Sequence, residues 1–204
     1  ASMSFGQITV RPKKITCLVS VSRELIQNGD NAAQIIESTL QTAIAAEMDR
    51  VALLGDAAGE EPTGLANMSG ISTISGVGDI THDDILNAIK TVANSNHQAT
   101  GGIWSPGTQY ELDILKDSQL QYLVPPAAYA NLQKFITTKT GDAAAYIGDW
   151  SKLFFAVLPG GIMLDTSIHG VGVFNKDLVQ IRVMLPVDIF ATHEAAFCAL
   201  TGLS

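Results

Sequence analysis

The feature that most constrains this chain is a long amphipathic pattern in its first quarter. Between about Asn31 and Leu54, large apolar residues recur at spacings of four and three: Ile36, Leu40, Ile44, Met48 and Val51. This period predicts a single helix, roughly 35 Å long at about 1.5 Å per residue. The mean helix has about 11 residues, so the predicted element is unusually long. Gly55 is expected to end it.

Composition narrows the class of protein. The 204 residues carry 12 basic and 20 acidic side chains, giving a net charge of −8, while 47% of the residues are hydrophobic. That balance excludes a disordered chain, and no apolar run approaches the ~20 residues that cross a bilayer. No signal peptide is visible. The acidic balance argues against a protein that binds the nucleic-acid backbone. Only 16% of residues are charged, which suits a subunit covered by neighbours.

Strands are expected at both ends of the chain, with helices between them. A strand is predicted from Gln7 to Val21, bent at Pro12, and Ser22 is placed to cap a short helical turn. Thr81 and Asp84 have the spacing of a capping box that starts a second helix. The other predicted elements are a glycine- and acid-rich loop at 55–64, a short buried strand at 103–104, helices at 81–94 and 107–116, strands at 134–138, 145–148, 153–157, 162–165 and 178–185, and an apolar segment at 197–200. The fold class is α+β.

The residues give little sign of catalysis or of metal binding. The four histidines have no metal-ligand spacing, and the chain lacks a phosphate-binding loop and a nucleophile elbow. Cys17 and Cys198 lie among apolar neighbours and are interpreted as buried reduced thiols, with a disulfide between them left open. An α+β enzyme remains a distant alternative. It would require a pocket joining several members of one set: His82, Asp83, Asp84, His97, Asp165 and His169.

Charged residues near the start of the chain are the candidates for contacts between subunits. Arg11, Lys13 and Lys14 form the one basic cluster, which is too small for nucleic-acid binding on an acidic chain, and we interpret it as subunit or salt-bridge contacts. Arg23 and Glu24 are further interface candidates. No catalytic, cofactor-binding or metal-binding residue is assigned, and no cofactor is expected.

Seven short motifs occur in an order that resembles the major capsid protein family of tailed bacteriophages and prophages, which has the Hong Kong 97-type fold. They begin with the Phe-Gly-Gln-Ile-Thr-Val-Arg-Pro-Lys-Lys-Ile and Val-Ser-Val-Ser-Arg-Glu-Leu-Ile stretches and continue through the end of the long helix to Glu-Pro-Thr-Gly-Leu. Ile-Trp-Ser-Pro with Lys-Asp-Ser, Ile-Gly-Asp-Trp-Ser, Val-Gln-Ile-Arg-Val and His-Glu-Ala-Ala-Phe follow in that order. The resemblance covers nearly the whole chain.

This resemblance implies a phage major-capsid fold in two parts. A peripheral domain, with the long spine helix packed on a β-sheet, would take residues 1–59 and the return strands and C-terminal segment at 167–204. An axial α+β domain would take residues 60–166. Copies of the subunit would form pentamers and hexamers of an icosahedral shell enclosing double-stranded DNA. A portal, a scaffold or a maturation protease would be partners during assembly in the host cytoplasm, and no membrane is involved.

Two departures from the family pattern shape these expectations. Family members carry an N-terminal arm and an extended loop ahead of the first strand, so we expect a truncated or proteolysed subunit that assembles poorly, with Ala1 and Ser2 as a remnant. No crosslinking residues are assigned. An encapsulin-type nanocompartment shell, which shares the fold but packages enzymes, is the nearer alternative.

Overall fold

The computed structural model describes residues 7–28, 31–56, 59–141, 144–170 and 172–203. Helices and strands are interspersed as far as residue 130, and the six elements that follow in the order below are strands. Their order is β1 (Lys13–Ser22), α1 (Arg23–Asn28), α2 (Ala32–Leu54), β2 (Ser72–Gly78), α3 (His82–Asn94), β3 (Gly101–Trp104), α4 (Pro106–Asp113), α5 (Ala127–Ala130), β4 (Gln133–Ile136), β5 (Ala144–Gly148), β6 (Leu153–Val157), β7 (Met163–Ser167), β8 (Leu178–Ala191) and β9 (Phe197–Leu203).

The long helix predicted from the sequence is one uninterrupted element, α2, of 23 residues. Its Leu40, Ile44 and Val51 are buried in a core shared with β1 and β8. Gly55 ends it as predicted, although its φ of −50° is not left-handed. A side chain at this position would collide with the backbone carbonyls of Val51 and Pro62, so close packing requires the glycine.

The first sheet joins the two ends of the chain. β1 pairs antiparallel with β8, placing Ile15 opposite Leu185 and Cys17 opposite Val183. This confirms the prediction that both strands lie in one sheet under the long helix. The other edge of β8 pairs with β6 and then with β7, so these two strands follow each other along the same edge.

The second sheet has the order β2-β9-β5-β3-β4. β2 runs parallel to β9 and β3 runs parallel to β4, while the other pairs are antiparallel. Helix α3 packs on β9 and β5, and its Ile85 and Val92 join Trp104 and Ile147 in a second core. Tyr146, Phe197 and Ala199 of the same sheet lie in the first core, so the second sheet contributes to both cores.

Helix starts follow the predicted caps. The Asp84 carboxylate accepts hydrogen bonds from the backbone N–H of Thr81 at 2.9 Å and from its hydroxyl at 2.6 Å. Ser22 caps α1, because its hydroxyl accepts from the Leu25 N–H at 3.3 Å. Both helix starts that the sequence analysis assigned to a cap are confirmed.

Several predicted boundaries were wrong. β1 begins at Lys13 rather than Gln7, because the Pro12 ring leaves no N–H for the ladder. Helix α4 ends at Asp113, three residues early, and β8 continues to Ala191 because the edge of β6 extends its pairing. β2 had no counterpart in the sequence analysis. The predicted remnant, Ala1 and Ser2, and the first motif residues lie outside the described residues.

The division of the chain between the two sheets bears on the proposed domains. β6 and β7 fall within the range 60–166 proposed for the axial domain, yet they pair with β8 in the first sheet. β9 falls within the return segment 167–204, yet its partners are β2 and β5 in the second sheet. The domain ranges therefore remain a proposal.

Candidate subunit interfaces

The basic cluster lies where β1 begins, beside the loop that follows α2. Lys13 is bonded within the chain: its ammonium donates to the backbone carbonyls of Gly59 at 2.8 Å and Glu61 at 2.6 Å. The backbone N–H of Arg11 donates to an Asp188 carboxylate oxygen at 2.7 Å, while its side chain is exposed. Lys14 is also exposed. Lys13 thus fastens the loop, and the side chains of Arg11 and Lys14 face outwards.

Arg23 and Glu24 lie at the other end of β1. The Arg23 guanidinium is 3.2 Å from a carboxylate oxygen of Asp177, and the Arg23 backbone N–H donates to the Asp177 carbonyl at 3.1 Å. Glu24 is exposed in the first turn of α1. A ten-residue strand spans about 30 Å, so the structure does not bring the five candidates together. They form two separate charged areas.

An ion network that the sequence analysis missed holds the acid-rich loop against α2. Arg50 contacts the carboxylates of Glu47 and Glu61, each at 2.6 Å. The hydrogen bond from Arg50 lowers the pKa of Glu61, and the two carboxylates raise the pKa of Arg50. The Glu61 side chain is 41% exposed, but its position is fixed by this pair. The 11-residue separation of Arg50 and Glu61 hid the contact.

Exposed apolar side chains form the larger surface features. One group follows α4, on a hairpin formed by residues 115–124 that we call the knob: Leu120, Tyr122, Leu123 and Val124. A second group lines an open cleft of about 550 Å³ between the two sheets, which we call the groove. Its walls come from α2, β3, β4 and β6. The sequence signal for the knob was the run of apolar residues in a turn-rich segment.

The side chains that an enzyme would require are dispersed. His82 packs against Tyr129 at the start of α3, with ring centroids 5.1 Å apart, and Asp84 caps the same helix. His97 lies instead beside His193, at 5.3 Å. Asp165 on β7 pairs with Arg182 at 2.8 Å. The set proposed for catalysis therefore does not converge in one pocket.

The remaining site observations concern thiols, metals and membranes. Burial raises the pKa of the Cys198 thiol to about 11, whereas Cys17 is half-buried rather than buried as predicted. Both thiols are free.

Within the described part of the chain, no three His, Cys, Asp or Glu side chains are grouped so that they could hold a metal ion. None of the helices in that part combines the length and the apolar character that a membrane span needs.

Solved structures from phages and from a GTA capsid share this fold. One from Gordonia phage Cozz has a TM-score of 0.74 at 16% identity, and the match covers 100% of this chain and 78% of that one. The capsid of an empty GTA particle has a TM-score of 0.76 at 13% identity, covering 100% and 79%. One from Mycobacterium phage Adephagia gives 0.69 at 14% identity, covering 96% and 73%. The fold is therefore the α+β phage major-capsid fold that the sequence predicted.

Sequence comparison gives the family. Residues 1–202 match the phage capsid family, and the chain belongs to it. The major capsid protein of Enterobacteria phage HK97 is 25% identical over 136 residues, which are 65% of this chain and 35% of that protein. The match thus spans about a third of this relative. Membership of this family favours a capsid subunit over the encapsulin and enzyme alternatives.

Proposed function

We propose that the chain is the major capsid (head) subunit of a tailed phage or prophage. Copies of it form pentamers and hexamers, and these build an icosahedral shell around double-stranded DNA. The observation that carries the proposal is the match to the phage capsid family along residues 1–202. Its location is the virion capsid, and the host cytoplasm during assembly.

The surface supports an assembling subunit. Large apolar side chains that monomers usually bury are exposed on the knob, around the groove and on the 158–168 segment, which includes Ile162 and Leu164. Contiguous exposed apolar patches larger than a few hundred Å² commonly mark interaction sites. The exposed charges of Arg11, Lys14 and Glu24 are suited to the polar rims of such interfaces.

The charge of the chain supports an enclosing role towards DNA. A net charge of −8 has the same sign as the phosphate backbone, so the packaged duplex is confined without being tightly bound. A portal, a scaffold and a maturation protease are the further partners that the family resemblance suggests for assembly.

Sedimentation velocity with negative-stain microscopy tests the proposal, on the full-length gene product and on the 204-residue chain at rising concentration. We expect pentamers, hexamers or closed shells from the full-length product. Lys14→Glu should weaken assembly, whereas an exposed lysine outside both charged areas, Lys90→Glu, serves as the control. A full-length product that stays monomeric at every concentration would contradict the proposal.

A further inference from the structure

The knob is a rigid hairpin rather than a loose loop. The Asp117 carboxylate accepts the backbone N–H groups of Gln119 at 2.8 Å and Gln121 at 2.9 Å. The Asp117 N–H donates in turn to the Gln121 carbonyl at 2.9 Å, and Lys116 bridges to Tyr122 across the hairpin. These bonds fix the backbone of the tip, so the side chains that it carries are held in position before any partner arrives.

Leu120 occupies the tip of the knob at an energetic cost. Its φ is +63°, in the left-handed region that favours glycine and that bulky side chains rarely adopt. The side chain is also 78% exposed, so it gains little from packing within the chain. A glycine here would relieve the backbone strain and remove apolar surface from water. The structure of one subunit alone gives no stabilising reason for a leucine.

The other apolar side chains of the knob enlarge the same surface. Val124 is 88% exposed and Tyr122 is 66% exposed, with Leu123 beside them. Together with Leu120 they present on the order of 400 Å² of apolar area, which is about half of the ~800 Å² that each partner contributes to a stable interface. The knob is thus large enough to form the central part of an interface.

The groove has the complementary shape and chemistry. Seven of its lining side chains are large and hydrophobic: Leu53, Ile103, Phe135, Ile136, Trp150, Leu153 and Phe155. About 550 Å³ can admit several aliphatic side chains. The knob does not fill the groove of its own chain, because Leu120 and Val124 remain exposed. A protruding apolar surface and an open apolar recess therefore occur on the same molecule, and none of the described residues occupies either of them.

The charges beside the knob and the groove are also complementary. Lys116 is exposed at the base of the knob, with its ammonium 4.8 Å from the centre of the Tyr122 ring. Asp117, the neighbouring acid, already accepts two backbone hydrogen bonds. Among the described residues that line the groove, Asp49 is the one with a charged side chain, and it is exposed. The knob offers a cation where the rim of the groove offers an anion.

We propose that the knob of one subunit docks into the groove of a second copy of this chain, with Leu120 as the apolar anchor and Lys116 facing Asp49 of that copy. Because the two surfaces differ, the contact is head-to-tail, the type that closes into rings when the rotation permits. The inference rests on the proposed shell function and specifies how neighbouring subunits of one capsomer meet.

Substitutions at the tip separate docking from a structural role. Leu120→Gly should leave the melting temperature of the isolated chain unchanged or higher, because strain is relieved, and should weaken self-association about tenfold or more. Ser118→Gly, in the same hairpin, is the matched control and should leave association unchanged. A Leu120→Gly chain that melts lower yet associates normally would show that the leucine serves the hairpin alone, and would overturn the proposal.

A charge exchange tests the pairing itself. Lys116→Glu and Asp49→Lys should each weaken self-association measured by sedimentation velocity, because each places like charges in contact. The double variant should regain most of the affinity of the unmodified chain. Additive weakening in the double variant would mean that these two residues do not meet.

Cysteine trapping identifies the contact directly. In a Cys17→Ser background, chains carrying Leu120→Cys are mixed with chains carrying Ile136→Cys under mild oxidation. We expect a mixed disulfide between two copies. The control, Leu18→Cys in place of Ile136→Cys, should form none, because Leu18 is exposed on the face of β1 that points away from the core. No mixed disulfide at any concentration, or equal trapping by Leu18→Cys, would overturn the docking.

The failure of this inference is distinguishable from failure of the proposed function. If the full-length product forms capsomers or shells and the Leu120→Gly form does so equally well, the docking is wrong and the shell function stands. If the full-length product forms neither, the shell function itself is contradicted.

Discussion

The packing of the long helix on the first sheet should contribute much of the stability of the described fold. Two isoleucines of α2 provide a matched comparison, because they have the same side chain in the same helix. Ile44 is 5% exposed and lies in the core with Ile15 and Leu185, whereas Ile35 is 63% exposed. Replacing each isoleucine with alanine changes helix propensity by the same amount. The difference in stability between the two variants therefore measures the effect of burial.

The expected magnitudes differ clearly. Ile44→Ala removes buried methyl and methylene groups and leaves a cavity, which costs about 2–5 kcal/mol. A loss of about 3 kcal/mol lowers the melting temperature of a chain this size by roughly 6–12 °C. Ile35→Ala removes little buried surface and replaces isoleucine with a better helix former, so its effect should stay within about 0.5 kcal/mol.

Urea unfolding followed by circular dichroism measures both variants against the unmodified chain. Ile44→Asp should go further and unfold the first sheet with its helix, because burying an unpaired carboxylate costs several kcal/mol. If Ile44→Ala were as stable as Ile35→Ala, or if Ile44→Asp melted normally, the inferred core face of α2 would be wrong.

Three further outcomes follow from the caps, the ion network and the thiols. Asp84→Ala should lower the stability of the chain by about 1 kcal/mol in thermal melts, because the N-cap residue loses its partner, and Asp83→Ala in the same helical turn should cost less. Glu61→Gln should make the free energy of unfolding depend less on pH on the acid side. The pKa of Glu61 is depressed in the folded state. The contribution of Glu61 to stability is therefore present above its ordinary pKa of 4.5 and is lost as pH falls through the folded-state pKa. A profile identical to that of the unmodified chain would contradict this. Cys198 should resist a thiol reagent at pH about 8 until urea is added, because its pKa is about 11, whereas Cys17→Ser controls for the half-buried thiol.

The elements that the sequence predicted correctly depend on local patterns. The apolar period of α2, the alternation of Ile15, Cys17, Val19 and Val21, and the capping box at Thr81 are each readable within a short window. Their geometry depends on neighbours in sequence, so tertiary context refined them without reversing them. The motif order then identified the family, because seven weak signals in the correct sequence constrain each other.

The parts that the sequence missed depend on contacts between distant residues. β2 holds glycines at positive φ at both Gly76 and Gly78 and becomes a strand by pairing with β9, more than 120 residues later. Its two glycines offset the strand preference of its Thr, Ile and Val residues. The same reason explains β8, which extends past Leu185 because β6 supplies a partner.

The sequence by itself determined the long helix, the α+β class, the family and the absence of any recognised catalytic motif. Only the tertiary structure showed that Lys13 and Arg23 bond to partners within the chain and that the catalytic candidates are dispersed. It also showed that Leu120 is exposed with left-handed backbone geometry. Periodicity reports which face of an element is apolar. Which apolar faces stay uncovered depends on how the two sheets and their connections fill space, and that is a property of the folded chain.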